Sequence, residues 1–474
     1  LFARLNETGT QAGEALLLSW LIHPPASSQE VVARQRAAQE LAPMIDFRQK
    51  LITEARMSGA AKANVSRFVE WAEAPSALSR IQVAFFVAHI LPVATVTVGI
   101  LAANDLLRSL FFWVVLFIQI AINRWAKAPL DAVWAALRLG DHSLMRFEKT
   151  FQAIAAAKFS DPRLIDLATG LTHGVPVSVK MRSLARLLGF AELKQSSQMH
   201  PLFNALFMWD ILVLFRLDAW RHQHGKGVRL WFRSLAEFEA LSALATWVFE
   251  HPNDVFPRLD DGAAHFEATA LTHPLIDRPI ANDITLASET RALIISGSNM
   301  SGKTTFMRTM GLNAVIGMAG LPVAARSLNM SVLQVITSMR IKDSLERGVS
   351  YFYAEVQRVK RLMDLSASNP GKCFFLIDEI LMGTNATERL VASEAIIKQL
   401  LASGAIGAVT THDLSLCRMA DDDALRIHNV HFCDQLSNGV MTFDYRIRDG
   451  VVQTSNAITV LRQAGITVPE RSAI

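Results

Sequence analysis

The amino-acid sequence predicts a helical N-terminal region followed by an α/β C-terminal domain, and three observations support this division. All nine tryptophans lie before residue 250. After that point, short Val/Ile/Leu runs are interrupted by glycines, as in buried strands joined to helices. Two long uncharged runs also lie within the helical part. We therefore predict a helical segment at 1–80, a hydrophobic hairpin at 81–125, a helical core or lever-like domain at 126–255, and an α/β domain at 256–474.

Composition sets broad limits on function. The 474 residues suffice for about three domains. A formal net charge of +4 neither requires nor excludes a nucleic-acid partner. The three cysteines, Cys373, Cys417 and Cys433, form no CxxC pair. The sequence therefore indicates neither a zinc site nor a disulfide framework, and a reducing cytosolic setting fits the C-terminal half.

The two uncharged runs predict a transmembrane hairpin. Residues 81–103 form a helix of about 34 Å, enough to cross a hydrocarbon core of about 30 Å. The second run, 109–123, reaches the lower limit for a span when Leu106 and Leu107 are added. Basic residues flank the pair, which predicts that both ends and the C-terminal domain lie in the cytoplasm, attached to the inner (plasma) membrane. They are Arg67, Arg80, Arg124 and Lys127.

Two alternatives stay open in this half of the chain. The hydrophobic hairpin can instead be buried in a large soluble core, which Pro92 and His89 favour. Farther on, a basic stretch from Arg216 to Arg233 can face nucleic-acid phosphates or anionic lipid headgroups, or it can be a solvated helix end and loop.

The strongest motif is a GxxxxGK[ST] sequence between a strand candidate, Ala292 to Ser296, and a helical pattern, Phe306 to Met318. Glycines let the backbone wrap a phosphate, whose oxygens accept from successive N–H groups and from the helix N-terminus. We expect Lys303 to reach the β- and γ-phosphates of ATP and Thr304 to bind Mg²⁺. The predicted phosphate-binding residues are Gly297, Ser298, Asn299, Met300, Ser301, Gly302, Lys303, Thr304 and Thr305.

Two further strand ends predict catalytic groups. The buried run Cys373 to Ile377 is followed by Asp378 and Glu379, the form of a Walker B segment. Asp378 is expected to hold Mg²⁺, and Glu379 to act as general base or to orient the attacking water. A third strand, Ile406 to Thr410, leads to His412, which we expect to contact the γ-phosphate; a purely structural histidine is the alternative.

The C-terminal tail from Val430 to Val451 is predicted to form a β-hairpin with Asn438-Gly439 as its turn.

These motifs, in this order, resemble the MutS family of DNA mismatch-repair ATPases over roughly residues 265–466. The segment GSNMSGKTTFMR resembles the family's P-loop, and residues 343–355 resemble its signature segment. The remaining matching segments are Asp378 to Thr384, Thr411 to Asp413, the closing helix Ser455 to Gly465, and the nucleotide-base region around His273 to Leu275 and Ile280 to Asn282.

The resemblance implies an α/β P-loop NTPase domain of ABC/MutS type that uses ATP and Mg²⁺. It also implies a homodimer in which Ser350 acts in trans on the partner's γ-phosphate, with Ile280 and Asn282 near the base. ATP would then open and close the helical arms. The family further implies binding of duplex or mismatched DNA in repair.

The sequence also departs from the family. No segment resembles the mismatch-reading domain, and the Phe68-Val69-Glu70 triplet matches the pattern of its mismatch wedge only by coincidence. The aromatic that stacks on adenine is replaced near Pro279, and Leu381 and Met382 stand where Gly and Arg are common. A divergent, membrane-anchored paralogue is therefore expected. The alternatives are an ABC-type ATPase with fused membrane segments and a nucleotide-dependent scaffold without mismatch recognition.

Overall fold

The computed structural model describes residues 1–57, 65–76, 82–127, 131, 143–192, 200–298, 300–339, 351–381, 383–437 and 440–453. Within these residues, helices fill the chain up to Glu250 and an α/β region follows, so the predicted division into helical and α/β parts is confirmed. The chain forms two compact units, one of residues 1–5, 18–39 and 244–474, the other of residues 6–17 and 40–243. The predicted domain boundaries stay predictions.

The helices of the first half are short except for two. In chain order they are α1 (Phe2–Leu5), α2 (Gln11–Ile22), α3 (Ser28–Leu41), α4 (Ile45–Met57), α5 (Val65–Glu73), α6 (Gln82–Ala103), α7 (Ser109–Trp125), α8 (Ser143–Ala156), α9 (Pro162–Thr172), α10 (Val177–Glu192), α11 (His200–Phe207) and α12 (Trp209–Glu250).

An aromatic cluster organises the core of the helical unit. The ring of Phe68 is fully buried and lies 5.8 Å from Trp71, 6.3 Å from Trp220 and 6.0 Å from Phe232, measured between centroids. Rings at these separations add to the stabilisation that burial of their apolar surface already gives. Because Phe68 is a core residue, the Phe68-Val69-Glu70 triplet offers no exposed aromatic wedge, in agreement with its interpretation as a coincidence.

Helices α6 and α7 pack against each other as a hairpin. Among the described residues, one helix segment, Phe85–Ala103, is long and apolar enough to cross a membrane, and only 17% of its most apolar window is buried. Helix α7, with 17 residues, is apolar but shorter. The alternative of a buried soluble hairpin predicts covered apolar side chains, whereas these are largely exposed.

The α/β part contains two sheets. One has the strand order β1-β5-β2-β3 and the other β10-β9-β4-β8-β7-β6. Their strands are β1 (Arg258–Asp260), β2 (Phe266–Leu271), β3 (Asn282–Leu286), β4 (Ala292–Gly297), β5 (Ser327–Ser331), β6 (Gln334–Ser338), β7 (Cys373–Asp378), β8 (Ile406–Thr410), β9 (Ile427–Ser437) and β10 (Val440–Asp449). The associated helices are α13 (Lys303–Ala319), α14 (Tyr351–Ser368) and α15 (Ala386–Ala402).

The six-stranded sheet brings three predicted motifs to one edge. Strands β4, β7 and β8 are parallel neighbours, and their apolar residues are almost all buried, as expected of a sheet covered on both faces. The register pairs Thr410 with Ile295 on one side and with Asp378 on the other. The loop after β4 and the residues that follow β7 and β8 therefore leave the sheet at the same edge, where ligands bind in such folds.

The predicted C-terminal hairpin is confirmed, since β9 and β10 are antiparallel. Its turn, Asn438-Gly439, lies outside the described residues, as does the resemblance's closing helix at Ser455 to Gly465. The register shifts between Phe443 and Ile447, and within this irregularity Tyr445 has a φ of 53°. A bulge re-aims a side chain.

Candidate nucleotide-binding site

The 297–304 loop has a backbone that its glycines make possible. Gly297 and Gly302 have φ values of 143° and 110°, where residues with a Cβ are strained. A Cβ at residue 297 would lie 2.8 Å from the carbonyl oxygen of Phe432, so there is no space for a side chain. Met300, with φ 69°, is 82% exposed at the tip of the loop. Asn299 lies outside the described residues.

Lys303 is the buried cation of this loop. Its Nζ donates to the carbonyl oxygens of Gly297 (2.7 Å) and Ser298 (2.8 Å) and lies 3.4 Å from His412 Nε2. Burial lowers the pKa of Lys303, while the carboxylates of Glu379 and Asp378 act in the opposite direction. A lysine ammonium that has lost part of its hydration gains from an anion placed beside it. The Oγ of Ser298 is also buried without a hydrogen-bond partner among the described residues.

The Asp378 carboxylate is held by two threonine hydroxyls. Thr304, in the first turn of α13, donates to both carboxylate oxygens at 3.2 and 3.0 Å. Thr410, at the end of β8, donates to Oδ1 at 2.7 Å and accepts from the backbone N–H of Glu379 at 3.1 Å. Thr410 thus fixes both acidic residues of the segment after β7 relative to the loop after β4.

Glu379 is paired with His412. His412 Nε2 lies 2.8 Å from Glu379 Oε1, and the histidine side chain is 40% exposed. The hydrogen bond from His412 is the main reason that the pKa of Glu379 is lowered, with the positive charges of Lys303 and Arg389 adding to it. The φ of Glu379 is 55°, a conformation uncommon outside glycine. A carboxylate kept ionised in this way can accept a proton from water.

A cavity of about 810 Å³ opens beside the loop. Among the residues that line it are Ile280, Asn282, Tyr445 and Glu379. The Asn282 side chain donates to the carbonyl oxygen of Tyr445 (3.0 Å) and accepts from the N–H of Ile447 (2.8 Å), so it holds the irregular part of β10 against the cavity. The Tyr445 ring lies next to Gly302, because a Cβ at 302 would be 3.1 Å from Tyr445 Cδ1.

The structure therefore brings most of the predicted site together at one edge. Lys303, Thr304, Asp378, Glu379 and His412 form one connected set of contacts. The predicted residues that line the cavity are Ser298, Met300, Ser301, Gly302, Lys303, Thr304, Thr305, Ile280, Asn282 and Glu379. Ser350 lies outside the described residues, as do Met382 and most of the signature segment.

Two residues of the site were missed by the sequence analysis. In the sequence Thr410 is only the last residue of a strand, and its contact with Asp378 arises from the pairing of β8 with β7. Tyr445 has no motif around it, and it reaches the cavity only through the irregular pairing of β10 with β9. An aromatic does therefore line the cavity, although the region near Pro279 offers none.

The start of α14 is tied to the loop after β7. The buried carboxylate of Glu355 accepts a hydrogen bond from the backbone N–H of Gly383 at 3.2 Å. This bond joins the described end of the signature segment to the segment that follows the Asp378-Glu379 pair.

Comparison with known proteins gives a consistent picture. A family model, MutS domain V, matches residues 293–471. The DNA mismatch repair protein MutS 2 of Halobacterium salinarum is 30% identical over 247 residues, 50% of this chain and 27% of that protein. DNA mismatch repair protein MutS of Lactococcus lactis is 29% identical over 246 residues, covering 50% and 29%. Endonuclease MutS2 of Thermus thermophilus is 30% identical over 213 residues, covering 43% and 27%. The chain thus spans less than a third of the length of these relatives.

The bridging role of Thr410 can be tested with an isosteric change. Thr410→Val removes the hydroxyl that orients Asp378 and accepts from the Glu379 N–H, whereas Thr410→Ser keeps it. If the site holds ATP with Mg²⁺ as the sequence predicts, Thr410→Val should weaken the magnesium-dependent part of ATP affinity at least about tenfold, because a buried hydrogen bond to a charged group contributes about 1.5–3 kcal/mol. Titration of a fluorescent ATP analogue with and without Mg²⁺ measures this. Equal affinities of the two variants would show that the hydroxyl does not matter.

Proposed function

Because the chain is a divergent member of the MutS family through its domain V, we propose that it binds ATP with Mg²⁺ at the 297–304 loop and hydrolyses it. The observation that supports this most is the connected set Lys303, Thr304, Asp378, Glu379 and His412 at the edge of one parallel sheet. Loop amides and a helix N-terminus bind phosphate oxygens in proteins with this arrangement. The domain is accordingly proposed as a P-loop NTPase.

Each side chain has a separate task in the proposed reaction. Lys303 exchanges its bonds to the Gly297 and Ser298 carbonyls for bonds to the β- and γ-phosphate oxygens of ATP. Glu379 orients a water molecule and accepts its proton as the water attacks the γ-phosphorus; the bond from that phosphorus to the β–γ bridging oxygen breaks, which leaves ADP and phosphate. His412 donates to a γ-phosphate oxygen, for which it leaves Glu379. The adenine base of ATP packs beside Tyr445, which offers an aromatic face in the cavity.

The residues present fit a magnesium ion. The hydroxyl of Thr304 and the carboxylate of Asp378 are hard oxygen ligands in direct contact with each other, and Mg²⁺ in nucleotide sites is bound through few protein ligands together with phosphate oxygens and water. Among the described residues, no cluster of three or more His, Cys, Asp or Glu side chains offers a separate metal site. Mg²⁺ at Thr304 and Asp378 would neutralise charge that develops on the β- and γ-phosphates.

Family membership also supports a homodimer. In this proposal Ser350 of each subunit approaches the γ-phosphate bound by the other, so ATP stabilises the closed pair. Binding of ATP shifts the balance between open and closed forms only by its higher affinity for the closed form. Hydrolysis removes the γ-phosphate contacts, and the attached helices then return to the open arrangement.

Substitution of Glu379, the proposed general base, distinguishes an ATPase from a scaffold that binds nucleotide without turnover. Glu379→Gln keeps the side-chain volume but cannot accept a proton, so we expect ATP turnover to fall at least about a hundredfold, as removal of a general base does. ATP binding is expected to persist, and ATP should hold the variant as a dimer in sedimentation velocity.

The matched control is Glu289→Gln, an equal charge change at an exposed turn before β4, which should turn over like the parent. A parent with negligible turnover that Glu379→Gln leaves unchanged would contradict hydrolysis and favour the scaffold.

On the basis of the family, we further propose that the chain binds DNA. The long helix α12 presents basic side chains on one exposed face, namely His222, Lys226, Arg229 and Arg233, while Arg221 is buried and the exposed Arg216 lies on another side of the helix. Arg229 is already paired with Glu73 at 2.6 Å. Nothing in the described residues supports recognition of a mismatched base.

If duplex DNA lies along this face, it should stimulate ATP turnover, and the stimulation should fall steeply between 50 and 200 mM salt, since phosphate contacts release counterions. Lys226→Ala with Arg233→Ala should reduce the stimulation without changing turnover in the absence of DNA. If the stimulation of ATP turnover by DNA changes neither with salt nor with these two substitutions, the result would contradict a phosphate-binding face on α12.

We also propose that α6 and α7 attach the chain to the inner membrane, with the ATPase domain on the cytoplasmic side. The supporting observation is their exposure: Phe86, Val93, Trp113 and Phe117 are each more than 60% exposed. Apolar surface of this extent is costly in water and favourable in lipid.

Membrane attachment predicts that the chain stays in the membrane pellet after an alkaline carbonate wash. Val114→Arg with Phe117→Arg places two charges on the outer face of α7 and should shift the chain toward the soluble fraction, because a charge in hydrocarbon is costly. Release of the parent chain by carbonate would contradict the proposal.

A further inference from the structure

Helices α6, α7 and α11 pack with their polar side chains inside. Gln119 of α7 is fully buried; its Oε1 accepts from the Thr95 hydroxyl of α6 at 2.6 Å and its Nε2 donates to the Leu206 carbonyl of α11 at 2.8 Å. One turn on, Asn123 Nδ2 donates to the Asn204 carbonyl of α11 at 2.7 Å. Amide and hydroxyl groups that bond neighbouring helices, with apolar residues outside, are the arrangement of helices packed in lipid.

The outer faces of the hairpin are apolar along its length. The large apolar side chains of α6 and α7 that are more than half exposed are Val83, Phe86, Ile90, Val93, Ile100, Leu110, Phe111, Trp113, Phe117 and Trp125. The largest apolar patch on a typical soluble monomer covers only about 300–600 Å². Gln119, Asn123 and Thr95 are hydrogen-bonded inside the packed helices, and the exposed His89 and Thr97 bond to backbone carbonyls of their own helix. With large apolar side chains over the rest of its outside, this surface has the chemistry of a lipid contact.

Helix α11 continues this surface. Its residues, HPLFNALF, include no Asp, Glu, Lys or Arg. Leu202, Phe203 and Phe207 are 53%, 45% and 38% exposed, and the rings of Phe203 and Phe207 stack with centroids 6.0 Å apart. The two bonds from Gln119 and Asn123 reach backbone carbonyls of α11. They fix this helix to α7, so its apolar face lies beside that of the hairpin.

The position of α11 along the axis of the hairpin follows from its hydrogen bonds to α7. Gln119 precedes the end of α7 at Trp125 by about 9 Å along the helix axis. At that end, Arg124, Trp125 and Lys127 are exposed, and tryptophans and basic side chains occupy the headgroup region of membranes. Arg216 is also exposed and follows Phe215, whose ring lies 4.7 Å from Phe85 near the start of α6. Asn123, which bonds to Asn204 of α11, precedes Trp125 by only about 3 Å. Helix α11 thus lies between the basic end of the hairpin and about two turns inside it.

We propose that α11 is a third lipid-contacting helix. Its Leu202, Phe203 and Phe207 lie in the interfacial layer of the bilayer that takes α6 and α7, at the depth that amphipathic helices reach. This rests on the proposed membrane attachment of the hairpin. A lipid surface fits better than a second copy of the chain, because tryptophan and basic residues end the apolar band at one level and hydrogen-bonding groups face inward.

A polarity-sensitive probe distinguishes the two parts of this account. In a chain with Cys433→Ser, the two remaining native cysteines, Cys373 and Cys417, are buried. One exposed cysteine then replaces Phe203 on α11, Phe117 on the hairpin or Lys398 on α15, and it is labelled with NBD. The whole chain is reconstituted in phosphatidylcholine–phosphatidylglycerol vesicles that carry a doxyl quencher either near the headgroups or deep in the acyl chains. Leu202→Cys serves as a second α11 position, and retained Mg-ATP binding shows that each variant is folded.

For the probe at 203 we expect blue-shifted emission that the quencher near the headgroups reduces most. For the probe at 117 we expect blue-shifted emission that the quencher deep in the acyl chains reduces most. The probe at 398 should report water. Lipid contact at 117 with water at 203 and 202 would overturn the role of α11 and leave the hairpin proposal standing. Water at all positions would overturn both. A blue shift at 203 that no lipid quencher reduces would mean that protein covers α11, which also contradicts the proposal.

Discussion

The carboxylate of Asp378 lies between the hydroxyls of Thr304 and Thr410, and the arrangement of the proposed nucleotide site depends on this contact. It joins three segments that are far apart in the chain: the first turn of α13, the end of β7 and the end of β8. The contact is possible because β7 pairs in parallel with β8, and β8 with β4, so that these three strands end at the same edge of the sheet. Where such an edge combines a glycine-rich loop with a helix N-terminus, phosphate is the ligand that the backbone favours.

The site as the structure shows it is held by contacts that ATP would have to replace. Lys303 is bonded to carbonyls of its own loop, and His412 is bonded to Glu379. Both side chains are therefore satisfied internally, in a place where burial already lowers the pKa of Lys303. A triphosphate supplies oxygens for both donors and frees Glu379 to bind water. In the proposed reaction, the movement of His412 from Glu379 to the phosphate would therefore both bind ATP and free the general base.

Local patterns predicted the elements of the α/β part well, because the motifs there sit on buried strands with distinct flanking residues. For this reason Asp378, Glu379 and His412 stand out in the sequence, and the structure brings them close together. Tyr445 and Thr410 depend on pairing between strands distant in sequence, β10 with β9 and β8 with β7, and no local pattern carries that information. The same holds for α11: its composition is plain in the sequence, but only the bonds from Gln119 and Asn123 show that it continues the surface of the hairpin.

The central claim is that the 297–304 loop binds the phosphates of ATP through Lys303 with a metal at Asp378. Calorimetric titration of the purified chain with ATP, with and without Mg²⁺, tests it most directly. We predict saturable binding of one ATP per chain that Mg²⁺ strengthens, and a loss of at least about 1.5 kcal/mol of binding free energy in Lys303→Ala, since a charge-assisted bond to phosphate is removed. No affinity for ATP in the presence of Mg²⁺, or equal affinity of the variant and the parent, would contradict it.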